Sequence, residues 1–304
     1  MSVVHSIPHT VEAKSRDLVP SRYALKIGDI DVMVISDGTL PIPFEVMSTN
    51  VAPAGRTAWL DNMLLPETFD WAVNVVVVRS GDQTILIDSG LGGVFEGFPR
   101  AGQLVRRLED AGIPLASLTD VVLTHLHMDH VGGLLGDGVK EQLRPDVRMH
   151  VAASEVAFWE SPDFSRTVMP SPIPDVLRVT AKRFLADYSS QIRQFDETVE
   201  VAPGVVARRT GGHTPGHCVV RIASGTEALT FAGDALFPVA FDHPDWQNGF
   251  EHDPEEAVNV RLRLFKELAA SGELLVATHV SFPSVGRVAV DGDAYRWVPG
   301  YWDY

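Results

Sequence analysis

One cysteine, Cys218, stands in 304 residues. A disulfide framework within the chain is therefore excluded, and a reducing, cytoplasmic setting is expected. Long hydrophobic runs are missing as well. No stretch approaches the roughly 18 uncharged apolar residues of a membrane span. The opening Met1-Ser2-Val3-Val4-His5-Ser6-Ile7-Pro8-His9 lacks the charged start and apolar run of a signal peptide. Positive charge is scarce: 25 lysines and arginines face 40 aspartates and glutamates, a net charge of −15. Without a Lys/Arg-rich run, nucleic acid and anionic membranes are poor partners, since both need a basic face.

What remains is an ordinary globular composition, 45% hydrophobic and 21% charged. A chain this long buries a core of useful size. Residues 1–22 show no clear periodicity and read as an N-terminal arm. A hairpin is expected from Tyr23, turning at Gly28-Asp29 and returning over Ile30 to Ile35. Residues 38–70 hold Pro41, Pro43, Pro53 and Pro66 and read as loop. Residues 160–175, with Pro162, Pro170, Pro172 and Pro174, also read as loop, and a helix is expected over Asp175 to Tyr188.

Two units then look alike. Val73–Val78 and Thr84–Ile87 form an apolar hairpin ending at Asp88-Ser89-Gly90. Cys218–Ala223 and Ala228–Phe231 form another, ending at Gly233-Asp234. A helix over Arg100 to Ala111 and a strand over Asp120 to Thr124 follow the first. A helix over Pro254 to Ser271 and a strand over Leu274 to Ala277 follow the second. The pattern suggests a duplicated architecture of sheets covered by helices. Asp253 suits the N-cap of the late helix, Pro254 its first turn and Gly272 its exit. Val258, Leu262, Phe265 and Leu268 share one of its faces.

The chemistry concentrates in His125-Leu126-His127-Met128-Asp129-His130. Imidazole and carboxylate are ligands of zinc and related divalent ions. In extended chain, residues two apart point the same way, so His125 and His127 can reach one metal. Asp129 and His130 are adjacent and diverge, and a turn there would aim them at a second. Further donors stand at strand ends and loops: His213 in Gly211-Gly212-His213-Thr214-Pro215-Gly216-His217, Asp234 after a strand, and His279 after Leu274–Ala277. His5, His9, His150, His243 and His252 have no motif partner and read as surface or core. His217 reads as supporting the site from behind, and Cys218 as a small buried strand residue.

These motifs, in this order, resemble the metallo-β-lactamase superfamily over roughly residues 23–297. The resemblance implies a mixed α/β fold, an αββα sandwich, with residues 23–304 as a single catalytic domain. It also implies a two-metal site on the sandwich edge. One ion would take His125, His127 and His213, the other Asp129, His130 and His279, and Asp234 would bridge them. Zinc is expected first, with manganese, cobalt or iron as alternatives. A hydroxide held between two ions would attack an ester, lactone or organophosphate triester, and Asp129 or Asp234 would hand a proton to the leaving group.

Within the superfamily, Thr278–Gly286, Tyr295–Pro299 and the Asp88–Phe95 stretch look like the methyl parathion hydrolase branch. Acyl-homoserine-lactone lactonases carry a tyrosine three residues after the bridging aspartate, where this chain has Phe237. Phe95, Trp159 and Phe237 are the expected substrate contacts, favouring an apolar or aromatic group on a small-molecule ester or lactone. A homodimer is a further expectation. The competing readings are a glyoxalase-II-like thioesterase, for which no basic cluster follows His279, and a metal-binding sensor without turnover.

Overall fold

The computed structural model describes residues 19–93, 97–292 and 294–301. Most of the expected N-terminal arm (residues 1–18) and the expected contact Phe95 lie outside them. Strands β1 (Arg22–Ile27), β2 (Ile30–Pro43), β3 (Thr68–Ser80), β4 (Gln83–Ile87), β5 (Asp120–Val122), β6 (Arg148–Ala152) and β7 (Ile192–Phe195) form one seven-stranded sheet in that order. Strands β8 (Thr198–Ala202), β9 (Val205–Arg209), β10 (Cys218–Ser224), β11 (Glu227–Phe231), β12 (Leu274–Val276), β13 (Gly286–Asp291) and β14 (Ala294–Pro299) form the other, also in order. The helices are α1 (Pro53–Met63), α2 (Leu104–Asp110), α3 (Met128–Val131), α4 (Val139–Gln142), α5 (Ala153–Glu160), α6 (Ile173–Asp187) and α7 (Pro254–Ser271).

Period-two alternation sorts β3 between two cores. Val76 and Val78 face the second sheet, where they meet Val205, Val220, Ile222, Leu229 and Phe231. Val73, Val75 and Val77 face the other way, into a core with Leu104, Leu108, Leu177 and Phe184 of α2 and α6. The outer face of the second sheet is covered by Val260, Leu264, Phe265 and Leu268 of α7. The layers are therefore αββα. Both faces of the central strands are buried, which is why their sequences run almost continuously apolar.

The two similar units share one topology. β3 pairs antiparallel with β4, and β4 pairs parallel with β5. In the second sheet β10 pairs antiparallel with β11, and β11 parallel with β12. The first hairpin turns at Gly28-Asp29 as expected, between the paired Ile27 and Ile30.

Residues 38–70 are loop only over 48–52 and 64–67. β2 runs on to Pro43, α1 covers Pro53–Met63, and β3 starts at Thr68. The prolines misled because β1 ends opposite Ile35, so the far half of β2 pairs only with β3. There the Thr39 N–H turns away from β3 to the Arg100 carbonyl, while the Phe44 N–H reaches Glu67 on the β3 side. Pro41 and Pro43 share the direction of Thr39 and so lack a donor only where none is needed.

The helix expected from Arg100 begins at Leu104. The buried Asp37 carboxylate collects the N–H groups of Leu91, Gly102 and Leu104 and holds the preceding segment as loop. In α7 the caps are as expected: Asp253 Oδ1 accepts from the Glu256 N–H at 3.2 Å, and Gly272 is left-handed at φ 66°. The buried stripe, however, is Ala257, Val260, Arg261, Leu264, Phe265 and Leu268, while Leu262 is 41% exposed. A buried arginine inside the stripe hid its true face. No helix among the described residues is long and apolar enough to cross a membrane.

Candidate metal centre

The seven donors come from strand ends along one rim of the sandwich. β5 stops at Val122, and an irregular segment with a bend at Thr124 leads to His127, which has extended backbone at φ −68° and ψ 158°. His125 and His127 thus do not lie on one extended strand as the sequence suggests. The single turn α3 then carries Asp129 and His130. His213 precedes β10, Asp234 follows β11, and His279 follows β12. Gly233 sits at φ +52°, where an added Cβ would lie 2.8 Å from His217 Nε2. Only glycine lets Asp234 come this close.

The donor atoms form two groups, each spanning no more than 4.8 Å: His125, His127, His213 and Asp234, and Asp129, His130 and His279. His213 Nε2 lies 3.1 Å from His127 Nδ1 and 3.4 Å from Asp234 Oδ2. His279 Nε2 lies 3.4 Å from Asp129 Oδ2 and 3.3 Å from Asp234 Oδ2, and His130 Nε2 lies 3.3 Å from Asp234 Oδ1. Ligands at about 2.0–2.1 Å in tetrahedral array stand roughly 3.3 Å apart. Buried polar atoms are normally paired, yet His125 Nε2, His130 Nε2 and Asp234 Oδ1 have no hydrogen-bond partner. Spacing, donor chemistry and orphaned atoms all fit divalent ions.

The outward nitrogens are held instead. Asp88 Oδ2 lies 2.8 Å from His130 Nδ1, and the same carboxylate accepts from the Thr124 N–H and hydroxyl. His279 Nδ1 donates to the Ala72 carbonyl at 2.7 Å. Each bond leaves Nε2 facing the site, as metal-binding histidines require. His217 Nε2 accepts the Asp234 N–H at 3.1 Å, so its Nδ1 carries the proton and donates to the Thr210 hydroxyl at 2.8 Å.

Two further clamps escaped sequence reading. Buried Glu155 accepts from the Leu126 N–H and Trp159 Nε1 on one oxygen, and from the Thr214 hydroxyl and Gly216 N–H on the other. It ties the His125–His130 segment to the His213 loop. Asn74 Nδ2, on β3, donates to the carbonyls of Ala277, Thr278 and Val280 and so fixes the His279 loop across the sheets. A lone Glu and a lone Asn carry no signal in sequence, because their partners lie up to 206 residues away.

Burial pushes His125, His127 and His213 well down, and neighbouring imidazoles add to it, so these rings are neutral and able to ligate. Burial opposes charge on His130 and His279 too, but Asp234 and Asp129 outweigh it and raise both. Burial would raise Asp234, yet His279 and His130 hold it well below the usual carboxylate range. The donors thus converge where positive charge is favoured. Burial brings His252 down to about 4, leaving a neutral ring.

A cavity of about 40 Å³ opens onto the donors. Asp129, Asp234, His127 and His279 line it together with Leu40, Ile42, Met47, Trp71, Phe237 and Phe250. Phe237 stacks on His279 at 5.3 Å and 11°. Trp159, the other expected contact, stands edge-on to His127 at 5.8 Å with its N–H on Glu155, and is not among the lining residues. His150 pairs with Asp120, and His243 stacks on Trp246, both apart from the donors.

Residues 68–279 match the metallo-beta-lactamase superfamily. A probable metallo-hydrolase of Mycobacterium tuberculosis is 24% identical over 191 residues, 54% of this chain and 56% of that protein. The match therefore spans about half the length of that curated relative. Among solved structures, the dizinc quorum-quenching lactonase AidC, in complex with an acyl-homoserine product, superposes with a TM-score of 0.86 at 23% identity, over 93% of this chain and 99% of that one. The hydrolase AbOPH of the beta-lactamase superfamily superposes with a TM-score of 0.83 at 26% identity, over 94% and 99%.

Proposed function

The chain belongs to the metallo-β-lactamase superfamily, and on that premise we propose that it is a two-metal hydrolase of a small ester, lactone or phosphotriester bearing an apolar group. The supporting observation is a ring of seven convergent donors, with orphaned buried atoms, opening onto an apolar-walled cavity. His125, His127 and His213 would hold one divalent ion, Asp129, His130 and His279 the other, and Asp234 would bridge. Zinc is the first expectation, since AidC is described as dizinc. Two such ions supply a nucleophilic water at neutral pH and an electrophilic pull on the ester oxygen.

The chain's own residues do the rest. Asp234, held ionised by His130 and His279, keeps the two donor groups together. Asp129 lines the cavity and is the more exposed carboxylate, 13% against 5%, so it is the one proposed to pass a proton to the leaving oxygen. Phe237, Trp71 and Met47 exclude water and receive the apolar group. Phe237 has no hydroxyl, so any oxyanion contact must come from elsewhere than that position. The branch nearest methyl parathion hydrolase, a cytoplasmic location consistent with one cysteine, and a homodimer belong to the same reading.

The test is a chelator-sensitive assay on p-nitrophenyl acetate, dihydrocoumarin, an acyl-homoserine lactone and paraoxon, with Zn²⁺, Mn²⁺ or Co²⁺. Turnover of at least one, lost with chelator and restored by metal, is expected. Tight binding of two ions with no turnover of any would replace this reading with that of a metal-binding module.

A further inference from the structure

Beside the donor ring, two buried ring nitrogens lack partners: His127 Nε2 and His252 Nε2. Their rings lie 5.7 Å apart. His252 Nδ1 lies 3.2 Å from the Asp163 carbonyl oxygen. A carbonyl only accepts, so Nδ1 carries the proton and Nε2 of the neutral ring is a lone pair. His127 is the reverse case. Its Nδ1 lies 3.1 Å from His213 Nε2, among the donors. A neutral imidazole that ligates through Nδ1 carries its proton on Nε2. A ring with a buried N–H therefore neighbours a ring with a buried lone pair.

Resting on the two-metal reading above, we infer that His252 is a positioning residue for His127. Its Nε2 accepts the His127 Nε2–H across one bound water and selects the tautomer that presents Nδ1 to the ion. His213 Nδ1 is a rival buried donor. Its ring, however, packs on His125, His127, His217 and Phe237, whereas the His252 ring packs on His127, Phe158, Trp159 and Phe164.

The fold holds His252 firmly in place. Its N–H donates to the His213 carbonyl at 2.9 Å. The preceding segment is gripped by buried Arg261, which donates to the carbonyls of Pro244 and Trp246 and pairs with Glu251. Phe158 and Phe164, 4.8 and 5.3 Å from the ring, flank the contact with apolar surface, which strengthens a hydrogen bond made there.

The experiment compares the wild-type chain with His252→Phe and His252→Gln. Zn²⁺ affinity is read by chelator competition, the thermal midpoint of the metal-free proteins controls for packing, and the His127 Nε2–H is sought by ¹⁵N–¹H imidazole correlation in the zinc-loaded forms. His252→Phe should weaken one of two zinc sites roughly 10–100-fold and lose the His127 Nε2–H signal. His252→Gln, which keeps an acceptor oxygen, should recover most of that affinity. Two zinc ions at wild-type affinity in His252→Phe would overturn this inference alone. Equal weakening in both variants, tracking the fall in thermal midpoint, would reduce His252 to packing and overturn it as well. A wild-type chain that binds no zinc would overturn the two-metal reading, and this inference with it.

Discussion

A buried histidine–aspartate cluster lies at each end of β4, β5 and β6, the second completed by donors from the other sheet, and the two differ in one respect. At the N-terminal ends of β4, β5 and β6, Asp120 pairs with His150 Nε2 at 2.7 Å, Arg148 at 2.7 Å and Gln83 at 3.3 Å. Both its oxygens are used, and none of its atoms is among the unpartnered ones. At the C-terminal ends, the imidazoles and carboxylates point at one another with Nε2 atoms and a carboxylate oxygen left over. The first cluster is complete as protein. The second is complete only with ligands, because lone pairs facing each other satisfy nothing. Burial and residue type do not separate structural from functional clusters here; unused hydrogen-bonding capacity does.

Substitutions at the two ends should therefore diverge. The largest effect is expected at the bridging position. Asp234→Ala should lower metal content and cut ester hydrolysis by more than the roughly 100-fold that loss of an outer partner costs, read by elemental analysis and initial rates. Next comes Asp88→Ala, which removes the carboxylate behind His130 and should cost about 10–100-fold in metal affinity. A variant with two tightly held ions and full activity would break the contrast between the rims. Chelation should abolish activity while far-UV circular dichroism stays native, since two cores hold the sheets together without metal.

At the other rim the expected changes are smaller and of another kind. Asp120→Asn should leave activity per folded molecule nearly unchanged but cost roughly 1–3 kcal/mol of stability, read by urea denaturation. Burial would raise the Asp120 carboxyl, but hydrogen bonds from His150 and Arg148 hold it below the usual range. Its contribution is thus present above the unfolded value of about 3.9 and is lost as pH falls below it. The wild-type urea midpoint should drop more steeply below about pH 4 than that of Asp120→Asn. Parallel acid limbs would remove Asp120 from the account.

Much of this was legible in the chain. Alternating and continuous apolar runs located both hairpins, and the capping residues Asp253 and Gly272 bounded α7. The donors could be named because each stands in a short motif at a strand end. Prolines hid the outer half of β2 and α1, since an unpaired strand edge tolerates residues that a central strand does not. Arg261 hid the buried face of α7.

The local order of side chains thus determined which atoms are available for ligation: His125 and His127 just after a strand end, Asp129 and His130 on the next turn. Only the tertiary structure decided what stands behind them. Asp88, Ala72, Glu155, Asn74 and His217 orient the donors through contacts between segments far apart in the chain. Such contacts leave no trace in local pattern, because a hydrogen bond depends on position in space and not on separation along the backbone.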